Sequence, residues 1–200
     1  MAHIQSIGAG MFSDLSVSTD PTKFAAALAT PTEPLLKACF KTEAENGDPS
    51  GDGTFIRIEN VREFPAMGTP PNVVNVPVYG QATSQQIQGQ ADAPSMEIQL
   101  NYVGEDWRAP HDEINELLGD MVGDGTQRMF RFALLNSPLE GAATYASDAT
   151  GLGTVDNTQY FWWGKLEALQ VTPQLTDANT ATITLTIQSD FYGAYTDDGA

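Results

Sequence analysis

From Phe55 onward the apolar positions of this 200-residue chain recur every second residue, the spacing of a strand with one face buried. Ile56 and Ile58 alternate with Arg57 and Glu59, predicting a strand over Phe55–Phe64. A Phe64-Pro65-Ala66-Met67-Gly68 turn leads into a second strand, Asn72–Tyr79, where Val74, Val76 and Val78 alternate with Val73, Asn75 and Pro77. Pro77 has no N–H to donate, so this strand needs an edge or a bulge there. A glutamine-rich loop from Gln81 to Pro94 follows. Met96, Ile98, Leu100 and Tyr102 then alternate with Glu97, Gln99 and Asn101, which predicts a half-buried antiparallel strand with a polar outer face. Three further strands are expected over Arg128–Leu135, Gln159–Thr172 (bulged at Gly164) and Thr180–Phe191. In the last, Ala181, Ile183, Leu185 and Ile187 oppose Thr180, Thr182, Thr184, Thr186 and Gln188. The Gly/Ala/Ser/Thr-rich stretch Asn136–Asn157 reads as a long loop.

The first 50 residues have a different texture. Asp20 as N-cap and Pro21 at the first helical position predict a helix over Asp20–Ala29. Glu33–Glu45 reads as a second short helix, with Leu35, Leu36, Cys39 and Phe40 on one face. Asn46 to Gly53 is a loop on its turn residues. The clearest helical period lies at Pro110–Val122, where Ile114, Leu117, Leu118 and Met121 share a stripe. Acidic residues fill its first turn, and Gly123 ends it. These elements predict a mainly β (α+β) fold. It is an antiparallel sandwich or barrel of six or seven strands with one flanking helix, long polar loops and an N-terminal arm or insertion over 1–52.

Composition narrows the function more than it narrows the fold. With 26 acidic residues against 9 basic ones, the chain carries a net charge of -17. A protein that grips phosphate backbones needs a Lys/Arg footprint, and the five arginines here are scattered. No apolar run reaches membrane-spanning length, and the start, Met1 to Gln5, lacks the basic and apolar segments of a Sec signal. The single Cys39 excludes an internal disulfide and fits assembly in a reducing cytoplasm.

Catalytic chemistry has little to work with. His3 and His111 are the only histidines, and no nucleophile-elbow, zinc-protease or phosphate-loop motif occurs. No enzymatic role and no cofactor is therefore expected. The nearest metal motif places Asp48, Ser50, Asp52 and Glu59 in the order of an EF-hand calcium loop. The segment leaving it reads as a strand where an EF-hand requires a helix, so an acidic Gly-rich turn is the expected state and no metal site is assigned. In Tyr160-Phe161-Trp162-Trp163, alternation sends aromatic rings to both faces. That fits a strand buried by the core on one side and by a partner on the other. The outer strand faces carry Gln99, Asn101, Thr182, Thr184 and Gln188 rather than the Lys and Glu that usually blunt exposed strands, consistent with edges meant to be paired.

Several of these segments together resemble the tail tube (major tail) proteins of long, non-contractile-tailed bacteriophages. The residues that carry the resemblance are Ile58-Glu59-Asn60-Val61-Arg62-Glu63-Phe64-Pro65, Asn72 to Gly80, Ile87-Gln88-Gly89-Gln90-Ala91-Asp92, and Ser95 to Tyr102. The downstream order also matches, with a helix at 110–122, a strand at 128–135, the Trp163-Gly164 segment and a Thr-rich final strand. The likeness covers roughly residues 53–191, and 1–52 depart from it.

The resemblance implies a structural virion protein, assembled in the host cytoplasm as hexameric rings stacked into a hollow tail tube. DNA would pass through it without specific binding. Its expected partners are further copies of itself, a tape-measure protein and tail-terminator or tail-tip proteins. The expected lumen residues are Glu59, Glu97, Gln99, Asn101, Thr182, Thr184 and Gln188. The loop bearing Gln81, Gln85, Gln86, Ile87, Gly89 and Asp92 would reach a neighbouring subunit. The alternatives are a related secretion-system or contractile-tail tube or ring protein, and a calcium-stabilised β-sandwich decoration or adhesion module.

Overall fold

A computed structural model of the chain describes residues 13–40, 55–65, 73–76, 85–88, 95–108, 118–135 and 157–196. Ten strands and four short helices occur among them: β1 (Asp14–Ser18), α1 (Pro21–Ala29), α2 (Glu33–Ala38), β2 (Phe55–Arg57), β3 (Val61–Glu63), β4 (Val73–Val76), β5 (Gln85–Gln88), β6 (Ser95–Asn101), α3 (Gly104–Arg108), α4 (Leu118–Met121), β7 (Arg128–Leu135), β8 (Asn157–Thr172), β9 (Thr180–Ile187) and β10 (Tyr192–Thr196). The fold is mainly antiparallel β with flanking short helices. Eight strands share one sheet in the order β2-β1-β7-β8-β9-β6-β3, with β10 added beside β8, while β4 and β5 form a separate two-stranded sheet.

The two edges of the large sheet belong to one continuous segment. β2 pairs with β1, and the Ile58 N–H extends that pairing by donating to Leu15 O at 2.8 Å. β3 pairs with β6, and Asn60 O accepts from the Asn101 N–H at 2.9 Å. The chain turns between the two at Asn60, whose φ of 59° is left-handed, a conformation Asn tolerates better than most residues. The strand expected over Phe55–Phe64 is therefore two strands. Its bend carries the chain from one edge of the sheet to the other and rolls the sheet into a barrel.

Apolar residues from most strands of the large sheet meet in a shared core. Leu15 and Val17, Ile56 and Ile58, Met96, Ile98 and Leu100, Phe130 and Phe132, Trp162 and Leu166, and Ala181 through Ile187 at alternate positions all meet there. Trp107 from α3 and Leu118 and Met121 from α4 close it. The period-two reading placed these residues correctly in β6 and β9. The expected helix 110–122 is described only from Leu118, since 109–117 lie outside the described residues. Gly119 is obligatory at its start, because a Cβ there would sit 2.5 Å from Trp107 O.

β8 is long because it serves two neighbours. Asn157 to Gly164 pairs with β7 and Gly164 to Thr172 with β9, the two ladders meeting at Gly164. The register shift lies between Leu166 and Ala168, with Glu167 as the extra residue, and not at Gly164 as the sequence suggested. Gly164 has a different duty. A Cβ on it would lie 1.9 Å from Thr186 O, so only a hydrogen allows β8 and β9 to close. The expected strand to Phe191 ends at Ile187, and the chain returns as β10 to pair with the first half of β8.

The N-terminal segment is built into this barrel. β1 lies between β2 and β7, so the boundary expected at residue 52 does not separate two packed units. Strand β1 escaped the periodicity reading because its burial is continuous: Asp14, Ser16 and Ser18 are as buried as Leu15 and Val17. Helices α1 and α2 cover the outer face at this point. The Asp20 side chain caps α1 by accepting from the Thr22 and Lys23 N–H groups at 2.7 and 3.0 Å, as its sequence predicts. Ala27, Leu36, Cys39 and Phe40 pack on Met129 and Phe161, with Tyr192 and Tyr195 alongside. The second cover expected over Phe161 and Trp163 thus comes from the chain itself, with Trp163 stacked on Tyr192 at 5.4 Å.

Burial pushes the Cys39 thiol from its ordinary 9.0 up to about 12. The unfolded thiol ionises near 9 and the folded one does not, so this site favours the fold fully below pH 9, and its contribution falls as pH rises from 9 toward 12. Cys39 is expected to resist a water-soluble thiol reagent at pH 8 in the native protein and to react fully in urea. Rapid labelling of the native protein would contradict the buried placement.

Candidate functional site

The outer face of the barrel divides into a covered half and an open half. The open half is built by β6, β9 and the second part of β8, whose registers align residues in cross-strand rows. Gln99 lies opposite Thr182, which lies opposite Gln170. Glu97, Thr184 and Ala168 form the next row, Ser95, Thr186 and Lys165 another, and Asn101, Thr180 and Thr172 the last. Period-two alternation produces the face: Met96, Ile98 and Leu100 go inward, so their neighbours must go outward.

Along β9 the threonines are half-buried between flanking strands, while the four polar residues of β6 are exposed. Each threonine is β-branched, favoured on a pleated surface, and brings a hydroxyl that can serve as donor or acceptor. Thr186 Oγ1 donates to Glu167 Oε1 at 3.0 Å, so the bulged residue is tied to the face.

Five of the seven expected wall residues, Glu97, Gln99, Asn101, Thr182 and Thr184, are brought together on this face, with Gln99 directly across from Thr182 and Glu97 directly across from Thr184. Gln188 lies one residue beyond β9. Its N–H donates to Trp163 O at 2.9 Å, and its side-chain oxygen accepts from Gln127 Nε2. The loop holding Gln127 is pinned at Asp124. Burial works against ionisation there, but the Thr126 N–H and the Arg128 guanidinium, 2.8 Å away, outweigh it and hold the carboxyl below its usual range.

Glu59 does not join the face. It follows β2, exposed and 3.9 Å from Arg57, beside a hollow at the barrel seam. Alternation gave its direction relative to β2 but not which strands would stand next to β2. Sequence reading missed Lys165, Ala168, Gln170 and Thr172. The signal was present as polar positions in β8, but the extra residue Glu167 shifts the period halfway along the strand.

Of the expected inter-subunit loop, Gln85, Gln86 and Ile87 lie in β5, paired antiparallel with β4 in the register Val74 to Ile87 and Asn75 to Gln86. That segment is a strand rather than a loop, and β4 pairs with it. Gln81, Gly89 and Asp92 lie outside the described residues, as do Asp48, Ser50, Asp52, His3 and His111. Among the described residues no group of three or more His, Cys, Asp or Glu side chains could hold a metal ion. No helix among them is long and apolar enough to cross a membrane.

A second charged group lies under the covered half. Asp14, 2% exposed, accepts from Arg57 Nε at 2.5 Å and from Ser16 Oγ at 2.8 Å. Arg131 is fully buried, with one terminal nitrogen 3.7 Å from Asp14 Oδ2 and 3.3 Å from Ser16 Oγ. Its guanidinium carbon lies 4.7 Å from the Phe40 ring centroid and 5.0 Å from that of Phe55. This arrangement neutralises and seals its charges, which is structural chemistry rather than reactive chemistry. No family model and no curated protein matches this chain.

Proposed function

We propose that this chain is a tail tube protein of a long, non-contractile bacteriophage tail, a structural subunit that assembles as hexameric rings stacked into a hollow tube. The observation that carries the reading is the open polar face on β6, β9 and β8. It is a regular sheet surface rich in Gln, Asn and Thr, exposed along β6 and half-buried along β9, while the other half of the same outer face packs against α1, α2 and β10.

Such a surface suits the wall of a DNA conduit. Hydroxyl and amide groups stay hydrated, and the only cation in the four rows is Lys165. A chain at net -17 repels phosphate, so DNA would slide without the counterion-release affinity that a basic lining creates. Glu97 adds to that negative field. The β4–β5 hairpin stands apart from the main sheet, and a two-stranded hairpin alone is marginal in water, which suits a joint completed by a neighbouring subunit.

Negative-stain micrographs of the purified protein test the reading. Hollow rods of uniform width are expected as concentration rises. Discrete rings that never stack would point instead to a tail-terminator-like ring protein. A monomer at every concentration would overturn the proposal.

A further inference from the structure

A hollow of about 700 Å³ opens at the barrel seam, where the segment carrying β2 turns into β3. Small-molecule sites span roughly 300–1,000 Å³ and combine an apolar body with a few converging polar groups. The floor of this hollow is apolar. Phe64 and Phe132 pack there with ring centroids 5.0 Å apart and planes tilted by 58°. Phe132 is buried, whereas Leu134, two residues further along β7, is 39% exposed. Alternation sends Phe132 and Leu134 to the same side of the strand, so the leucine continues an apolar surface that begins in the core. An open leucine in a concave wall gains from any apolar group that covers it.

The rim is different in chemistry. Arg57 and Arg62 both line the hollow, together with Asp14 and Glu59. Arg57 is held by Asp14 and lies 3.9 Å from Glu59, so both carboxylates attend one guanidinium. Arg62 is exposed and has no ion-pair partner among the described residues. The buried Arg131, 3.7 Å from Asp14 Oδ2, tips the local balance to positive on a chain whose net charge is -17.

We propose that this hollow binds a small amphipathic carboxylate, its apolar tail on Phe64, Phe132 and Leu134 and its head on Arg62. The planar guanidinium offers a fork of N–H donors that matches the two oxygens of a carboxylate. One available cation suits one negative charge. A cationic head would be repelled by Arg62, and a polyanion would meet Glu59 and the acidic remainder of the surface. Floor and rim belong to a single chain, so the site does not rest on the tube reading.

Anilinonaphthalene sulfonate, an aromatic anion that fluoresces in apolar surroundings, provides the probe, with decanoate and decylamine as competitors on the purified full chain. Saturable binding of one probe per chain is expected, displaced by decanoate and not by decylamine. Arg62→Glu is expected to weaken it by about tenfold, the scale of exchanging a charge-assisted contact for a repulsion. Leu134→Asp is expected to abolish it, and both variants should keep the wild-type circular dichroism. Leu28→Asp alters a similarly exposed leucine on α1 and should bind the probe as the wild type does. Absence of saturable binding, displacement by decylamine as well as by decanoate, or equal loss in Leu28→Asp would overturn the site. The competition on the wild-type chain decides the matter even where a variant fails to fold.

Discussion

Asp14→Ala is expected to destabilise the fold by about 3–5 kcal/mol, the usual cost of removing one partner from a buried ion group. The aspartate lies 3.7 Å from a terminal nitrogen of Arg131, which is fully buried. It is also the close partner of Arg57. Its loss removes the Asp14 carboxylate from the buried guanidinium beneath Phe40 and Phe55, and leaves the Ser16 hydroxyl without its acceptor. The damage reaches three elements at once, since Asp14 lies in β1, Arg57 follows β1 across the β2 ladder, and Arg131 follows it across β7. Urea unfolding monitored by fluorescence provides the measurement. Asp14→Asn, which keeps an acceptor of the same size, should lose less. Replacing Asp14 and Arg131 together by apolar residues of similar volume should recover much of the loss, because the desolvation of both charges disappears with them. If Asp14→Ala unfolds at the wild-type midpoint, the charges are hydrated in solution and the buried arrangement is wrong.

Gly164→Ala is expected to cost at least about 3 kcal/mol, the upper end of what overpacking usually costs. The reason is the identity of the obstacle. The added methyl would lie 1.9 Å from Thr186 O and 3.0 Å from Thr186 C, both backbone atoms of the adjoining strand. No rotamer change relieves that, so β8 and β9 must part where the β7 and β9 ladders meet on β8. Thr186 and Lys165 form the end row of the open polar face, so the variant should disturb assembly as well as stability. Gly125→Ala is the control, with nothing within 4 Å of the new methyl and only the cost of a φ of 74°. An effect of Gly164→Ala no larger than that of Gly125→Ala would contradict the strand contact.

Most strands could be read in the sequence because one face of each is in the core and the other is not. Alternation in Met96 to Asn101 and Thr180 to Ile187 reports that asymmetry directly, and both strands are found there. β1 was hidden because both of its faces are buried: Leu15 and Val17 inward, Asp14 and Ser16 outward against Arg57 and Arg131. A polar residue satisfied by a partner 43 or 115 positions away looks, in one dimension, like a solvated one. Glu59 illustrates the same limit from the other side. Its direction followed from alternation, and its neighbours did not.

The sequence by itself determined which residues face inward along β6 and β9, the cap that starts α1, the acidic charge and the polar Thr/Gln/Asn surface of those two strands. These depend on local period and on side-chain chemistry. Only the tertiary structure decided that the N-terminal segment is a barrel strand and that Asn60 carries one segment across both sheet edges. It also decided that β8 changes neighbours at Gly164, and that β6, β9 and the far half of β8 make one continuous face. Strand order and register are set by long-range pairing, and pairing energy depends on which strands meet, a relation the linear spacing of residues does not contain.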